Sequence, residues 1–145
     1  MSLDKILAIS GKPGLYKLIT QTRGGFVAES LIDNKRLSVS IRQNVSILSE
    51  IAIYTLTEEI PLKQVFLNIS KKESGAQTSV KAKDSKDKLE EYFFDVLPDY
   101  DEDRVYASDI KKVIQWYNLL QQQNMLDLLE DEDEGEVRVT TDEEE

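Results

Sequence analysis

Pro61-Leu62-Lys63-Gln64-Val65-Phe66-Leu67-Asn68-Ile69-Ser70-Lys71-Lys72 is where the chain changes its period. Leu62, Val65, Phe66 and Ile69 recur at i, i+3, i+4 and i+7, the spacing of one helix face, and proline is accepted in the first turn of a helix. The spacing predicts an amphipathic helix of about three turns. Lys71 and Lys72 suit the negative end of its dipole.

Upstream of this point the pattern is that of β structure. Short apolar or alternating runs are separated by turn formers: Lys12-Pro13-Gly14, then Arg23-Gly24-Gly25, then Asp33-Asn34-Lys35. Strands are expected from Leu15 to about Gln21 and from Phe26 to Ile32, with a glycine supplying the positive φ of the hairpin between them. In the next strand Leu37, Val39 and Ile41 alternate with Arg36, Ser38, Ser40 and Arg42, so one face is wet. Residues 45–48 form a short apolar piece. Ile51-Ala52-Ile53-Tyr54-Thr55-Leu56 is apolar on both alternating faces and reads as a strand covered from both sides. Several short strands joined by tight turns suit a small, strongly bent sheet or barrel of the SH3-like kind.

Downstream, residues 73–88 contain Val80 as their only large aliphatic and no aromatic, and read as a linker. Ser85 caps a predicted helix with apolar positions Leu89, Tyr92, Phe93, Val96 and Leu97, ending at Pro98. Ser108 and Asp109 signal the start of another, with Ile110, Val113, Ile114, Tyr117 and Leu120 in register and Trp116 and Leu119 widening its stripe. These two helices are expected to pair as a hairpin, and the second to continue through Gln121-Gln122-Gln123-Asn124 into Met125, Leu126, Leu128 and Leu129. The fold class expected is therefore α+β: an SH3-like β unit with its closing helix (1–72), a linker (73–88), a helical unit (89–126) and a disordered acidic tail (127–145).

Charge follows this division. The 145 residues carry 18 basic and 28 acidic side chains, a formal −10, but residues 127–145 hold eleven acids and only Arg138. The rest is balanced. Cys and His are both absent, which excludes disulfides, thiolate nucleophiles, thiolate zinc sites and histidine general bases. Catalysis would have to rely on carboxylates, Ser–Lys pairs or shifted Tyr and Lys groups. We expect no enzyme, no cofactor and no metal.

Three local motifs reduce to ordinary structure. Asp99-Tyr100-Asp101-Glu102-Asp103 starts with the spacing of a calcium loop, but Arg104 stands where the bend wants glycine and Ile110 where a bidentate glutamate is needed. The Arg23-Gly24-Gly25 triplet occurs once, between apolar runs, as a hairpin turn does. Gly11-Lys12-Pro13-Gly14 lacks the rest of a phosphate loop, and Pro13 removes an N–H that a phosphate cradle uses.

Two blocks carry a resemblance: Ser2-Leu3-Asp4-Lys5-Ile6-Leu7-Ala8-Ile9-Ser10-Gly11-Lys12-Pro13-Gly14-Leu15-Tyr16 and residues 97–112, from Leu97-Pro98-Asp99-Tyr100 to Ile110-Lys111-Lys112. Together they resemble an uncharacterised domain-of-unknown-function family of small bacterial proteins, over most of residues 2–120. The resemblance implies a bacterial cytoplasmic protein and brings no activity, ligand or catalytic residue. The N-terminus has neither the long apolar run nor the cleavage pattern of a signal peptide, and no stretch is long and apolar enough to span a membrane, so the cytoplasm is expected.

The functional expectation is a non-catalytic interaction or adaptor protein, accessory to a larger cytoplasmic assembly through a protein partner. The alternative is a nucleic-acid-associated regulator working through the basic face of the β unit and modulated by the acidic tail, since residues 1–72 carry ten basic and six acidic side chains. Candidate partner contacts are Arg36 and Arg42 on the wet strand face, and Tyr100, Asp101, Asp103 and Tyr106 on the loop between the last two helices, chosen for expected exposure and residue type.

Overall fold

The structure is a computed structural model and describes residues 3–12, 14–40 and 42–129. A short 3-10 turn, Leu3–Lys5, leads into β1 (Ile6–Ile9), β2 (Tyr16–Thr22), β3 (Gly25–Ser30), β4 (Arg36–Ser40) and β5 (Val45–Ile47). These form one antiparallel sheet in the order β4-β3-β2-β1-β5. After a second 3-10 turn, Leu48–Glu50, β6 (Ala52–Tyr54) and β7 (Glu59–Pro61) make a separate two-stranded ribbon. Helices α1 (Leu62–Glu73), α2 (Lys86–Val96) and α3 (Ala107–Gln122) follow, and the described chain closes with a 3-10 turn, Leu126–Leu129.

The expected α+β class holds, but the sheet is open: among the described residues β4 and β5 are its edges, and no closed barrel forms. The β2–β3 register slips between Leu18 and Thr20, a bulge that increases the twist of the pair. A small apolar cluster of Leu7, Ile9, Tyr16, Ala28 and Val39 fills one side of the sheet. The other side belongs to a larger core, in which Leu3, Ile6, Leu15, Leu31 and Leu48 pack with α1, α2 and α3.

The strand buried on both faces is therefore β1, where Ile6 faces the helical core and Leu7 and Ile9 the smaller cluster. This corrects the expectation for Ile51–Leu56. There Ile53 is buried, but Tyr54 is exposed and Leu56 is 72% exposed, because β6 pairs with β7 alone and the chain leaves the ribbon at Thr55.

The hairpin at Arg23-Gly24 needs its glycine for space rather than for dihedral freedom. Neither Gly24 nor Gly25 has a positive φ, whereas a Cβ on Gly25 would lie 1.8 Å from the carbonyl oxygen of Val39 on β4. Asn34 does take the left-handed conformation, at φ 62°, and Lys35 N–H donates to Asp33 Oδ1, so the Asp33-Asn34-Lys35 reversal is built as expected.

The helices begin close to where the spacing put them. Pro61 is the N-cap of α1, which buries Leu62, Val65, Phe66 and Ile69, and Ser85 caps α2 by accepting from Lys88 N–H. α3 begins earlier than Ser108 and Asp109 suggested, with Tyr106 as its N-cap and Asp109 Oδ2 accepting from Tyr106 N–H at 3.0 Å. It ends at Gln122, because Asn124 turns left-handed at φ 58°. Of the residues expected to be an acidic tail, Leu129 is buried in the core, while 130–145 lie outside the described residues, as do Pro13 and Ile41.

The expected linker is tied down. Thr78 N–H donates to Asn118 Oδ1 and Asn118 Nδ2 donates back to Thr78 Oγ1, both at 2.9 Å. The Tyr117 hydroxyl donates to the Ala76 carbonyl at 2.8 Å, and Val80 is buried. With Val80 and residues from Leu3 to Leu129 in one apolar cluster, the β and helical units share a core.

Candidate functional site

α3 has two working faces. Ile110, Val113, Ile114, Tyr117 and Leu120 point into the core, while Lys112 and Trp116, four residues apart and so on one side of the helix, flank a cleft. The cleft has a volume of about 660 Å³, and its far walls are the loop after β1 and the entry to β5. That loop is shaped by Gly11 and Gly14, at φ 84° and 77°, and is anchored by Ser10 N–H donating to the Asn44 carbonyl and Gln43 Nε2 donating to the Ser10 carbonyl. A Cβ on Gly14 would meet Ile32 Cδ1 at 2.5 Å, so the loop lies tightly against its neighbours.

Beyond Ser46, Lys112 and Trp116 a second recess of about 330 Å³ continues toward β6 and Arg104. Trp116, the chain's one tryptophan, is half-buried between the two recesses and presents an amphipathic ring to both. Lys12 and Lys112 line the larger cleft, and no acid does so among the described residues. Arg104 is already engaged: its Nε is 3.3 Å from Asp101 Oδ2 and its guanidinium lies 4.8 Å from the Tyr54 ring centroid.

The sequence-chosen contacts lie elsewhere and do not converge. Arg36 stands opposite Glu29 on β3 and pairs with it at 3.1 Å on the exposed face of edge strand β4. Arg42 is exposed but lies past the end of that strand, its N–H donating to Ser40 Oγ. Tyr100 corrects the expectation of an exposed contact: it is 5% exposed, packed edge-on against Phe93 at 5.0 Å, because the α2–α3 loop is bonded to β6. Asp101 N–H donates to the Tyr54 carbonyl and Leu56 N–H to the Asp99 carbonyl, which draws Tyr100 inward. Asp101 is half-buried and accepts from Asp103 N–H, Asp103 is exposed, and Tyr106 is 63% exposed. Among the described residues no group of three or more acids is placed to hold a metal ion.

A second polar cluster joins α1 to α2. Glu73 Oε2 accepts from the Tyr92 hydroxyl and from Ser79 N–H, and Lys72 Nζ sits 5.3 Å above the Tyr92 ring. Burial, then the hydrogen bond to Glu73, raises the Tyr92 phenol well above its ordinary value of about 10. Burial also raises Tyr100 and Tyr117, with a hydrogen bond to Ser70 pulling the latter back. The folded chain thus holds these protons more tightly than the unfolded chain. Their contribution is intact below about pH 10 and is lost as the pH rises beyond it. The stability gap between the parent and Tyr92→Phe therefore narrows as the pH climbs from about 9.5 to 11.5, measured by thermal unfolding. A gap that stays constant across that window refutes the assignment.

An open antiparallel sheet and three helices on one shared core, with a lysine-lined cleft beside the only tryptophan, define a small α+β protein. Comparison recognises two segments of it. Residues 3–48 match a domain of unknown function (DUF5606) and residues 51–120 another (DUF6852). A solution NMR structure from Bacteroides vulgatus, a structural-genomics target, is 46% identical with a TM-score of 0.71, over 84% of this chain and 87% of that one. The chain belongs to the family of that Bacteroides protein, which bears out the resemblance seen in the two sequence blocks. No curated protein matches. The two matched segments meet at the 3-10 turn Leu48–Glu50, whose Leu48 lies in the shared core. No helix among the described residues is long and apolar enough to cross a membrane.

Proposed function

We propose that the protein is a non-catalytic interaction module, accessory to a larger cytoplasmic assembly, whose partner seats in the cleft between the β1 loop, β5 and α3. The observation that carries this reading is Trp116, half-buried beside Lys12 and Lys112 in an open cleft next to an edge strand. A tryptophan with a polar rim is the composition of an interface hot spot, and an unpaired edge offers backbone groups to an extended segment. We further infer an SH3-like β unit: β1 to β4 form a meander and β5 returns to pair with β1 around the small cluster.

The nucleic-acid reading rests on the basic face of the β unit, with Arg36 and Arg42 on it and Lys12, Lys17, Arg23 and Lys35 nearby in sequence, and the pairing of Arg36 with Glu29 weakens it. Affinity purification from the native cell, with and without nuclease, separates the two. A nuclease-resistant partner whose recovery falls at least about tenfold with Trp116→Ala or Lys112→Glu, from a hot-spot loss of about 2 kcal/mol, supports the cleft. Loss on nuclease treatment, with sensitivity to Arg36→Glu and Arg42→Glu instead, supports the alternative.

A further inference from the structure

We infer that the chain's own acidic C-terminal segment, residues 130–145, occupies this cleft, so that a partner must displace it. The inference rests on the interaction reading of the cleft and adds its resident occupant. Residues 130–145 carry ten carboxylates and only Arg138. Lys12 and Lys112, both exposed, line one recess that has no lining acid among the described residues, so its rim is positive and complements a run of carboxylates. Residues 1–126 hold equal numbers of acids and bases, whereas residues 1–72, which supply Lys12 and most of the cleft walls, carry ten bases and six acids.

Sequence and reach both fit. Glu136-Val137-Arg138-Val139-Thr140 alternates apolar and polar side chains, a sequence pattern suited to contact with Trp116 beside β5, an edge strand among the described residues. The described chain ends at Leu129, buried in the core seven residues beyond Gln122 at the end of α3. Residues 130–145 follow it, a contour of up to about 55 Å. Tethering raises the local concentration of the segment to the millimolar range, so weak contacts suffice.

Trp116 reports on this directly, as the chain's one tryptophan. Acrylamide quenching of its fluorescence is measured for the full-length parent and for a full-length variant carrying Glu130→Gln, Asp131→Asn, Glu132→Gln, Asp133→Asn and Glu134→Gln. The variant is expected to show a quenching constant raised about twofold, and about 0.5 M salt to produce the same rise in the parent but none in the variant. Lys12→Glu with Lys112→Glu gives that rise too, with no addition when combined with the tail changes. A synthetic peptide of residues 130–145, added to the neutralised variant, restores protection. Equal quenching in parent and variant, or a peptide without effect, overturns the inference. If quenching is unchanged while Trp116→Ala still lowers partner recovery, only the resident occupant is wrong. If the tail effect is present and partner recovery ignores Trp116, the interaction reading fails instead.

Discussion

Replacing Tyr117 with alanine lowers the unfolding free energy by about 3–5 kcal/mol, the cost of deleting a large buried aromatic side chain. Tyr117 is fully buried on α3, its ring 6.4 Å from that of Phe66 on α1, and its hydroxyl holds the Ala76 carbonyl of the segment expected to be a linker. One side chain thus ties α3 to α1 and to the segment between α1 and α2. Tyr117→Phe, which keeps the ring and loses the hydrogen bond, costs about 1 kcal/mol. Because the same core contains Ile6, Leu15 and Leu31 from the sheet, unfolding in denaturant is one transition, seen at the same midpoint by far-ultraviolet circular dichroism and by Trp116 fluorescence. Two separated transitions, or a loss under about 1 kcal/mol for Tyr117→Ala, are incompatible with a shared core.

Gly25→Ala is the second large effect, expected at about 3 kcal/mol, the upper end of over-packing costs. The added Cβ meets backbone, with the Val39 oxygen at 1.8 Å and its carbonyl carbon at 2.9 Å, and Gly25 pairs with Ser40 across the β3–β4 edge. Rotamer changes cannot relieve a clash with a carbonyl, so β4 has to move away, taking Val39 out of the small cluster. Gly24→Ala is the control. Nothing lies within 4 Å of its Cβ position, so its cost stays below about 1 kcal/mol. Equal midpoint shifts for the two substitutions in urea would show that the turn, not the strand contact, selects glycine.

Helices were legible because their signals are local. The stripe from Leu62 to Ile69 and the Ser85 cap each lie within a few residues, and both appear where the spacing put them. Burial of Tyr100 was not legible, because it depends on Asp101 N–H reaching the Tyr54 carbonyl, a pairing of segments 47 positions apart in sequence. The acidic residues around Tyr100 suggested solvent, yet Asp101 and Arg104 satisfy one another at the loop and leave the ring free to pack on Phe93. The cleft was equally hidden. Trp116 showed only as a widened stripe, and the walls that make a recess beside it come from the loop after β1 and from residues 44–46, at the other end of the chain. Ile6-Leu7-Ala8-Ile9 did carry the signature of a strand covered on both sides, but at four residues it was too short to separate from a helix fragment by periodicity.

The double burial of β1 bears on how the protein is made. This strand is synthesised ahead of the other strands and of α1 to α3, and β2 to β5 can curl around Leu7 and Ile9 before those helices exist. Ile6 and Leu15 have no cover until α1 and the residues beyond it have been synthesised, so the first of the two matched segments emerges with one sticky side. The second segment follows directly behind it on the same chain, so the missing half of the core arrives at high local concentration instead of by diffusion.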